Sequence, residues 1–387
     1  MYTPVVISGM GAICAAGKNV EEICQSFDRG ARAPEPPTLF PTRLDYPVFE
    51  VKGISCPSGI MRTLALAFAA AAESLPNAGL NKSLRGLRIG VCLGTTVASQ
   101  LNDEKWYSEY KTTGSAPREP IDIYLKGNIA EAFTEKFDLK GPALTVVNAC
   151  SSGADAIGVA LSWLQTDLCD IVIAGGADEI NHVPYCGFGA LGVTSRQACM
   201  PFDRNRSGLN LGEGAGILIL EKETHARKRG NSSMLYISGY GAAADAYHLT
   251  APRPDGAGLE MAVRLALDQA GIQEADIAFI NAHGTATRDN DKTEGRLFAR
   301  MFGPNVKFIS TKGFTGHTLG AAGAIEAIFT ALGLKEGWIP ANLGFTNVDE
   351  EIGVVPLREK TIIKGSYALS TSLAFGGNNA ALIIERK

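Results

Sequence analysis

No run of about 18 apolar residues occurs in the 387-residue chain, so no segment is expected to span a membrane. There is no CxxC pair and no histidine pair at metal-ligand spacing. The eight cysteines (14, 24, 56, 92, 150, 169, 186 and 199) are scattered. That argues against a disulfide framework and a local metal site, and it reads as reduced thiols in a cytosolic protein. Blocks of Lys or Arg are missing, and the net charge of −4 argues against a generic nucleic-acid binder. The opening MYTPVVISGMG lacks a basic leader followed by an apolar run, so no signal peptide is expected. Charged residues are only 20% of the chain, beside 45% apolar residues and 44 glycines, which suits a compact α/β enzyme with many tight turns. The length allows two domains, or one domain built twice.

Repetition favours the second choice. VVISGMGA at 5–12 returns as LYISGYGA at 235–242, and a helix ending Ala78-Gly79-Leu80 returns as one ending Ala270-Gly271-Ile272. LRIGVCLGTT (87–96) returns as DIAFINAHGT (276–285), and ILILEKE (217–223) as ALIIERK (381–387). Four matched elements in one order predict a duplicated α/β unit, with halves at 1–230 and 231–387. Equivalent loops of the two halves then meet at a shared end of the strands, where α/β folds put their sites. Residues 31–60 are proline-rich and aperiodic and read as a surface excursion, and 97–130, with Trp106, Tyr107 and Tyr110, as a lid or subunit contact.

The stretch LTVVNACSSGADAIG (144–158) runs from strand character through small residues into a helical pattern. A sharp turn there would hold Cys150 at a helix N-terminus, where the dipole and free N–H groups favour a thiolate. Taken alone, the stretch favours the blander role, since most free cysteines are small buried apolar residues. The histidines are only five. His283 in NAHGTAT and His317 in STKGFTGHTLGAAGAIEA each follow an apolar strand among glycines, where packing gives little reason for an imidazole. His225, in EKETHARKRG, reads as a solvated surface residue, and His182 and His248 as structural. One Cys and two His on converging loops fit covalent acyl transfer, with the histidines donating to a developing oxyanion. Zinc would want three or four ligands with local spacing.

NACSSG (148–153), PFDxxRxG…GEGAG (201–216), NAHGTxT (281–287), KGxTGHTLGAAGxxE (312–326) and FGGxNA (375–380) together resemble a β-ketoacyl-acyl carrier protein synthase of the thiolase superfamily. The similarity runs end to end and is nearest the elongating KAS II-like branch with a Cys-His-His centre. It implies a thiolase-like fold, two α/β halves layered αβαβα, in a cytosolic dimer. It implies decarboxylative condensation of malonyl-acyl carrier protein with an acyl chain held on Cys150, in fatty acid or polyene/polyketide elongation. No metal or cofactor is implied beyond the carrier's phosphopantetheine, because decarboxylation drives the carbon–carbon bond.

Carried over by position, the catalytic set is Cys150, His283, His317, Lys312 and Phe375. His283 and His317 grip the malonyl carbonyl, and the N–H groups of Cys150 and Phe375 hold the thioester oxyanion. Lys312 pairs with Glu326 behind the histidines. The substrate-binding set is Thr285 and Thr287 on the phosphopantetheine arm, Phe188 in the acyl pocket, and Glu326; Phe375 gates between pocket and malonyl site. Asp203, Arg206 and Glu213 read as a structural ion-pair and turn network, and no Lys-Ser/Thr follows the glycine run to make it a phosphate loop.

Departures bear on substrate and partner. Gly313 stands where serine is usual, Ala374 precedes FGG, Asn378 replaces a frequent threonine, and Gly192 falls where some relatives carry a basic residue for the carrier. GTTVASQLND (94–103) and the short length resemble ketosynthases of aryl polyene and type II polyketide clusters, which implies either a homodimer or a heterodimer with a chain-length factor. A chain-length factor itself, which shapes the pocket without condensing, would lack the nucleophilic cysteine. A degradative thiolase would carry a second catalytic cysteine in the last motif, and a chalcone-synthase-like enzyme one His with an Asn.

Overall fold

The computed structural model describes residues 3–57, 60–80, 86–96, 100–119, 122 and 128–387. Among these are twelve strands. They are β1 (Val5–Cys14), β2 (Ile89–Gly94), β3 (Ala143–Val146), β4 (Ile171–Asp178), β5 (Gly214–Lys222), β6 (Leu235–Ala244), β7 (Ile277–Asn281), β8 (Phe308–Ile309), β9 (Trp338–Ile339), β10 (Thr361–Ile362), β11 (Tyr367–Ala374) and β12 (Asn378–Arg386). Ten form one mixed sheet in the order β3-β2-β4-β5-β1-β6-β12-β11-β7-β8. Read outward from the centre, the order is the same twice: first strand, fifth, fourth, second, third. The pairing senses repeat as well, with β2 parallel to β3 and β4, and β7 parallel to β8 and β11. The duplication is therefore structural, and each sequence repeat falls on equivalent elements.

β1 and β6 pair only at Val5–Ile237 and Val6–Tyr236. Between the two half-sheets lie the helices Ser152–Gln165 and Ala322–Glu336, which pack on each other and on strands of both halves. The second is buried at every position from Ala322 to Leu334, which explains its apolar character all round. The helix Arg62–Asn77 covers β1 and β5 from outside, and Ala257–Ala270 covers β6 and β12. Five layers result, αβαβα. β4 is buried at all eight positions, and its near-continuous apolar run IVIAGGA suits a strand covered on both faces.

Residues 31–57 are not a simple surface excursion. Val48, Phe49 and Val51 are buried, and the Phe49 N–H donates to the Leu211 carbonyl at 2.9 Å, so the segment is pinned to the loop before β5. Of 97–130, the helix Gln100–Thr113 is described; 97–99, 120, 121 and 123–127 lie outside the described residues. No helix among the described residues is long and apolar enough to cross a membrane.

The loops leaving the parallel strands carry the candidate site residues. Cys150 follows β3 and His317 follows β8, the third strand of each half. His283 follows β7 and Phe375 follows β11.

Candidate active site

The turn at Cys150 is held by its neighbours. Ala149 has φ +49°, a left-handed conformation that costs a non-glycine residue about 1–2 kcal/mol. The Ser152 hydroxyl donates to the Ala149 carbonyl at 2.6 Å and accepts the Asn148 N–H at 2.8 Å, closing the bend from both sides. Cys150 is buried at 5% exposure. Burial pushes its thiol up to about 11, against the Lys312 charge and the Phe375 N–H, which act downward. Desolvation therefore works against the thiolate that a helix start would favour.

His283 and His317 face each other edge-on, ring centroids 5.2 Å apart. Burial, then the positive charge of Lys312, holds both imidazoles well below the ordinary histidine range, so both are neutral. Their tautomers follow from what lies behind them. Lys312 Nζ donates to His283 Nδ1 at 3.1 Å, and the Leu319 N–H donates to His317 Nδ1 at 3.1 Å. Each ring therefore carries its hydrogen on Nε2. Two N–H donors and one thiol on a shared cavity can hold a thioester carbonyl while an acyl group is transferred.

Of the other histidines, His225 is not simply solvated, since its Nδ1 lies 2.7 Å from the buried carboxylate of Glu221. His248 accepts the Thr250 and Ala251 N–H groups at 3.1 and 3.2 Å, a structural turn. His182 lies 4.0 Å from Glu104.

Two buried acids brace this centre without having been anticipated. Glu294 accepts the backbone N–H groups of His283 and Gly284, each at 2.8 Å, and the Thr371 hydroxyl at 2.6 Å. Asp178 accepts the Gly320 N–H at 2.6 Å and the hydroxyls of Thr95 and Thr96, tying the segment after His317 to β2. The one signal for Glu294 was its helical spacing from Asp291, which puts both acids on the inward face of the helix Arg288–Phe302.

Burial pushes the Glu294 carboxyl up to about 7 despite its hydrogen bonds. A carboxyl raised on folding binds more protons in the native state than in the unfolded chain between about pH 4.5 and about 7. It therefore lowers stability as pH rises through that window. Relative to the wild type, Glu294→Gln should gain up to about 3 kcal/mol from the bottom of this window to the top. Urea unfolding across the window measures it, and a difference that does not vary with pH would refute the assignment.

The cavity that joins these groups has a volume of about 300 Å³. Cys150, His283, His317, Phe188, Phe375, Thr285 and Thr287 all line it, and so does Gly192. The Phe188 and Phe375 rings stack at 5.3 Å, and the Thr285 and Thr287 hydroxyls are 2.9 Å apart. Glu326 and Lys312 are not among the lining residues. Both are buried and bonded to each other, so Glu326 stands behind the histidines and does not face the substrate space. Asp203 caps the N–H groups of Thr346 and Asn347, Arg206 pairs with Asp349 and Glu213 with Arg62, in keeping with structural roles. At Gly313 a Cβ would fall 2.7 Å from the Leu343 carbonyl oxygen, which accounts for the missing serine. Among the described residues, no group of three or more His, Cys, Asp or Glu is arranged to hold a metal ion.

Comparison with known proteins agrees with this geometry. The family model of the β-ketoacyl synthase N-terminal domain matches residues 57–226, and that of the C-terminal domain matches 234–346. The chain is 34% identical to 3-oxoacyl-[acyl-carrier-protein] synthase 2 of Staphylococcus aureus (strain COL), over 99% of this chain and 98% of that protein. Among solved structures it matches the ishigamide ketosynthase/chain length factor with a TM-score of 0.95 and 30% identity, covering all of both chains. It also matches a β-ketoacyl synthase from Burkholderia phymatum STM815 with a TM-score of 0.92 and 31% identity, again over all of both chains. Matched across both halves in sequence and in fold, the chain belongs to the β-ketoacyl synthase family.

Proposed function

We propose that the protein is a β-ketoacyl-acyl carrier protein synthase, a condensing acyltransferase that elongates an acyl chain held on Cys150. The observation that carries this reading is one thiol and two Nε2–H donors on a single cavity. The Cys150 sulfur attacks the thioester carbonyl of an acyl carrier protein. The carbonyl's bond to the pantetheine sulfur breaks, and the thiol proton ends on that leaving sulfur. Malonyl carrier protein then enters with its thioester oxygen between the His283 and His317 N–H groups. Its C–CO2 bond breaks, the electron pair becomes an enolate held by those donors, and CO2 leaves. The enolate carbon attacks the Cys150 thioester, whose oxyanion accepts from the N–H groups of Cys150 and Phe375. Collapse expels the Cys150 sulfur, which regains a proton from water because burial favours the thiol.

In this reading Thr285 and Thr287 hydrogen-bond the phosphopantetheine arm, Phe188 lines the acyl pocket, and Phe375, stacked on it, gates between that pocket and the malonyl site. Lys312 and Glu326 act through His283. The chain itself needs no metal or cofactor, since the lost CO2 supplies the driving force.

The partners are an acyl carrier protein and a second subunit, either a copy of this chain or a chain-length factor. Supporting a second subunit, Leu144 of the edge strand β3 and Val147 just after it are exposed, a few residues before Cys150 in the chain. The match to the ishigamide ketosynthase/chain length factor supports a chain-length factor as that subunit, and the segment GTTVASQLND (94–103) supports polyene or polyketide elongation over ordinary fatty-acid synthesis. We place the protein in the cytoplasm, in keeping with eight unpaired cysteines.

Intact-mass spectrometry of the protein alone, incubated with a panel of acyl carrier protein thioesters, tests the reading. The expected result is a single acyl adduct, released as a longer ketoacyl product when malonyl carrier protein is added. An adduct that never turns over would point to a missing heterodimer partner, and no adduct from any thioester would overturn the mechanism.

A further inference from the structure

The bend before Cys150 is also held by a carboxyl group that the proposed reaction does not use. Asp155 lies in the first turn of the helix Ser152–Gln165 and is buried. Its Oδ2 accepts from the Asn148 side-chain amide at 2.5 Å and lies 2.8 Å from the Ser151 hydroxyl, while its Oδ1 accepts the Tyr240 hydroxyl at 2.8 Å. Asn148 and Ser151 flank the pair Ala149-Cys150, so one side chain grips the bend on both sides. Tyr240 comes from β6, the first strand of the other half.

The helix is shaped to receive that tyrosine. A Cβ on Gly158, three residues beyond Asp155 and on the same face, would fall 2.4 Å from the Tyr240 ring. Burial, then the negative charge of Asp155, pushes the phenol far above its ordinary pKa, so Tyr240 remains a donor. A buried acid is tolerated where donors satisfy it, and here the Asn148 amide and the Tyr240 hydroxyl supply one from each half of the chain, while the Ser151 hydroxyl is shared between Asp155 and the Asn148 carbonyl at 2.9 Å.

We propose that Asp155 is a positioning residue for the nucleophile: it clamps Asn148 and Ser151 so that Ala149 stays left-handed and the Cys150 sulfur stays within reach of the Phe375 N–H, and Tyr240 ties this clamp to the half that carries His283 and His317. Without the clamp the strained bend relaxes and the sulfur moves. A misplacement of about 1 Å can lower a rate by about a hundredfold.

The inference rests on Cys150 as the acyl acceptor, so its test includes a reaction that needs no substrate. Asp155→Asn keeps the size of the side chain but sets an NH2 group against one of its donors. Alkylation of Cys150 by iodoacetamide, followed on the Cys150 peptide, is expected to slow about tenfold. Acyl transfer from an acyl carrier protein thioester is expected to fall about a hundredfold, and malonyl decarboxylation to stay within about twofold of wild type. Tyr240→Phe, which keeps the Asn148 and Ser151 contacts, should slow alkylation about threefold. Wild-type alkylation in folded Asp155→Asn would overturn the proposal. So would equal losses of alkylation and decarboxylation, which mark general disruption. Should Asp155→Asn not fold, unchanged alkylation and acyl transfer in Tyr240→Phe would overturn it instead. Wild-type protein that is alkylated at Cys150 but takes up no acyl group contradicts the proposed function, and the alkylation rates still judge Asp155.

Discussion

Cys150→Ala is expected to eliminate the acyl adduct and the condensation product, and to leave the melting temperature within a few degrees of wild type. The substitution deletes one sulfur that borders the cavity, so no new void opens in the packed core, and the expected loss of stability is about 1 kcal/mol. No other cysteine is among the residues lining the cavity, so no second thiol can take over. Loss of a covalent nucleophile lowers turnover by at least about 10⁴-fold. Decarboxylation of malonyl carrier protein should survive, because the His283 and His317 donors are held by Lys312 and by the Leu319 N–H and not by the thiol. Intact mass, released CO2 and a thermal melt together check the three parts. A variant that unfolds early, or that still acylates, would return Cys150 to a packing role.

Lys312→Ala should be damaging in two separable ways. The ammonium is buried at 1% exposure between Glu326 and His283. Removing it leaves a buried carboxyl without its counter-charge, a loss of about 3–5 kcal/mol. It also removes the donor that keeps the hydrogen of His283 on Nε2. The ring is then free to carry it on Nδ1 and turn a lone pair toward the cavity, which repels a developing enolate. Lys312→Met with Glu326→Leu removes both charges at similar volume, and it is expected to recover most of the stability but little of the decarboxylation. Urea unfolding and CO2 release from malonyl carrier protein measure the two effects independently. Decarboxylation at the wild-type rate in the double variant would refute the tautomer argument.

Some of this was legible from local pattern alone. Repeats such as VVISGMGA and LYISGYGA could be matched because a β-strand or helix imposes its period on adjacent residues, whatever the rest of the chain does. His283 and His317 stood out because each sits among glycines just after an apolar strand, whereas Cys150 stood out only once the five motifs were taken together. Glu294 did not stand out, since an acid in RDNDKTEG looks like an ordinary solvated helix residue until β11 brings Thr371 against it. Asp155 was hidden for the same reason, because its partner Tyr240 is 85 residues away.

The sequence by itself determined the doubled α/β plan and marked the candidate site residues, because element order, strand ends and residue types are properties of neighbours along the chain. Only the tertiary structure decided their chemical state. It joined the half-sheets at β1 and β6, raised the Cys150 thiol by burial, and set both histidine tautomers through Lys312 and the Leu319 N–H. Desolvation and hydrogen bonding depend on which groups approach in space, and those approaches are made between segments far apart in the chain.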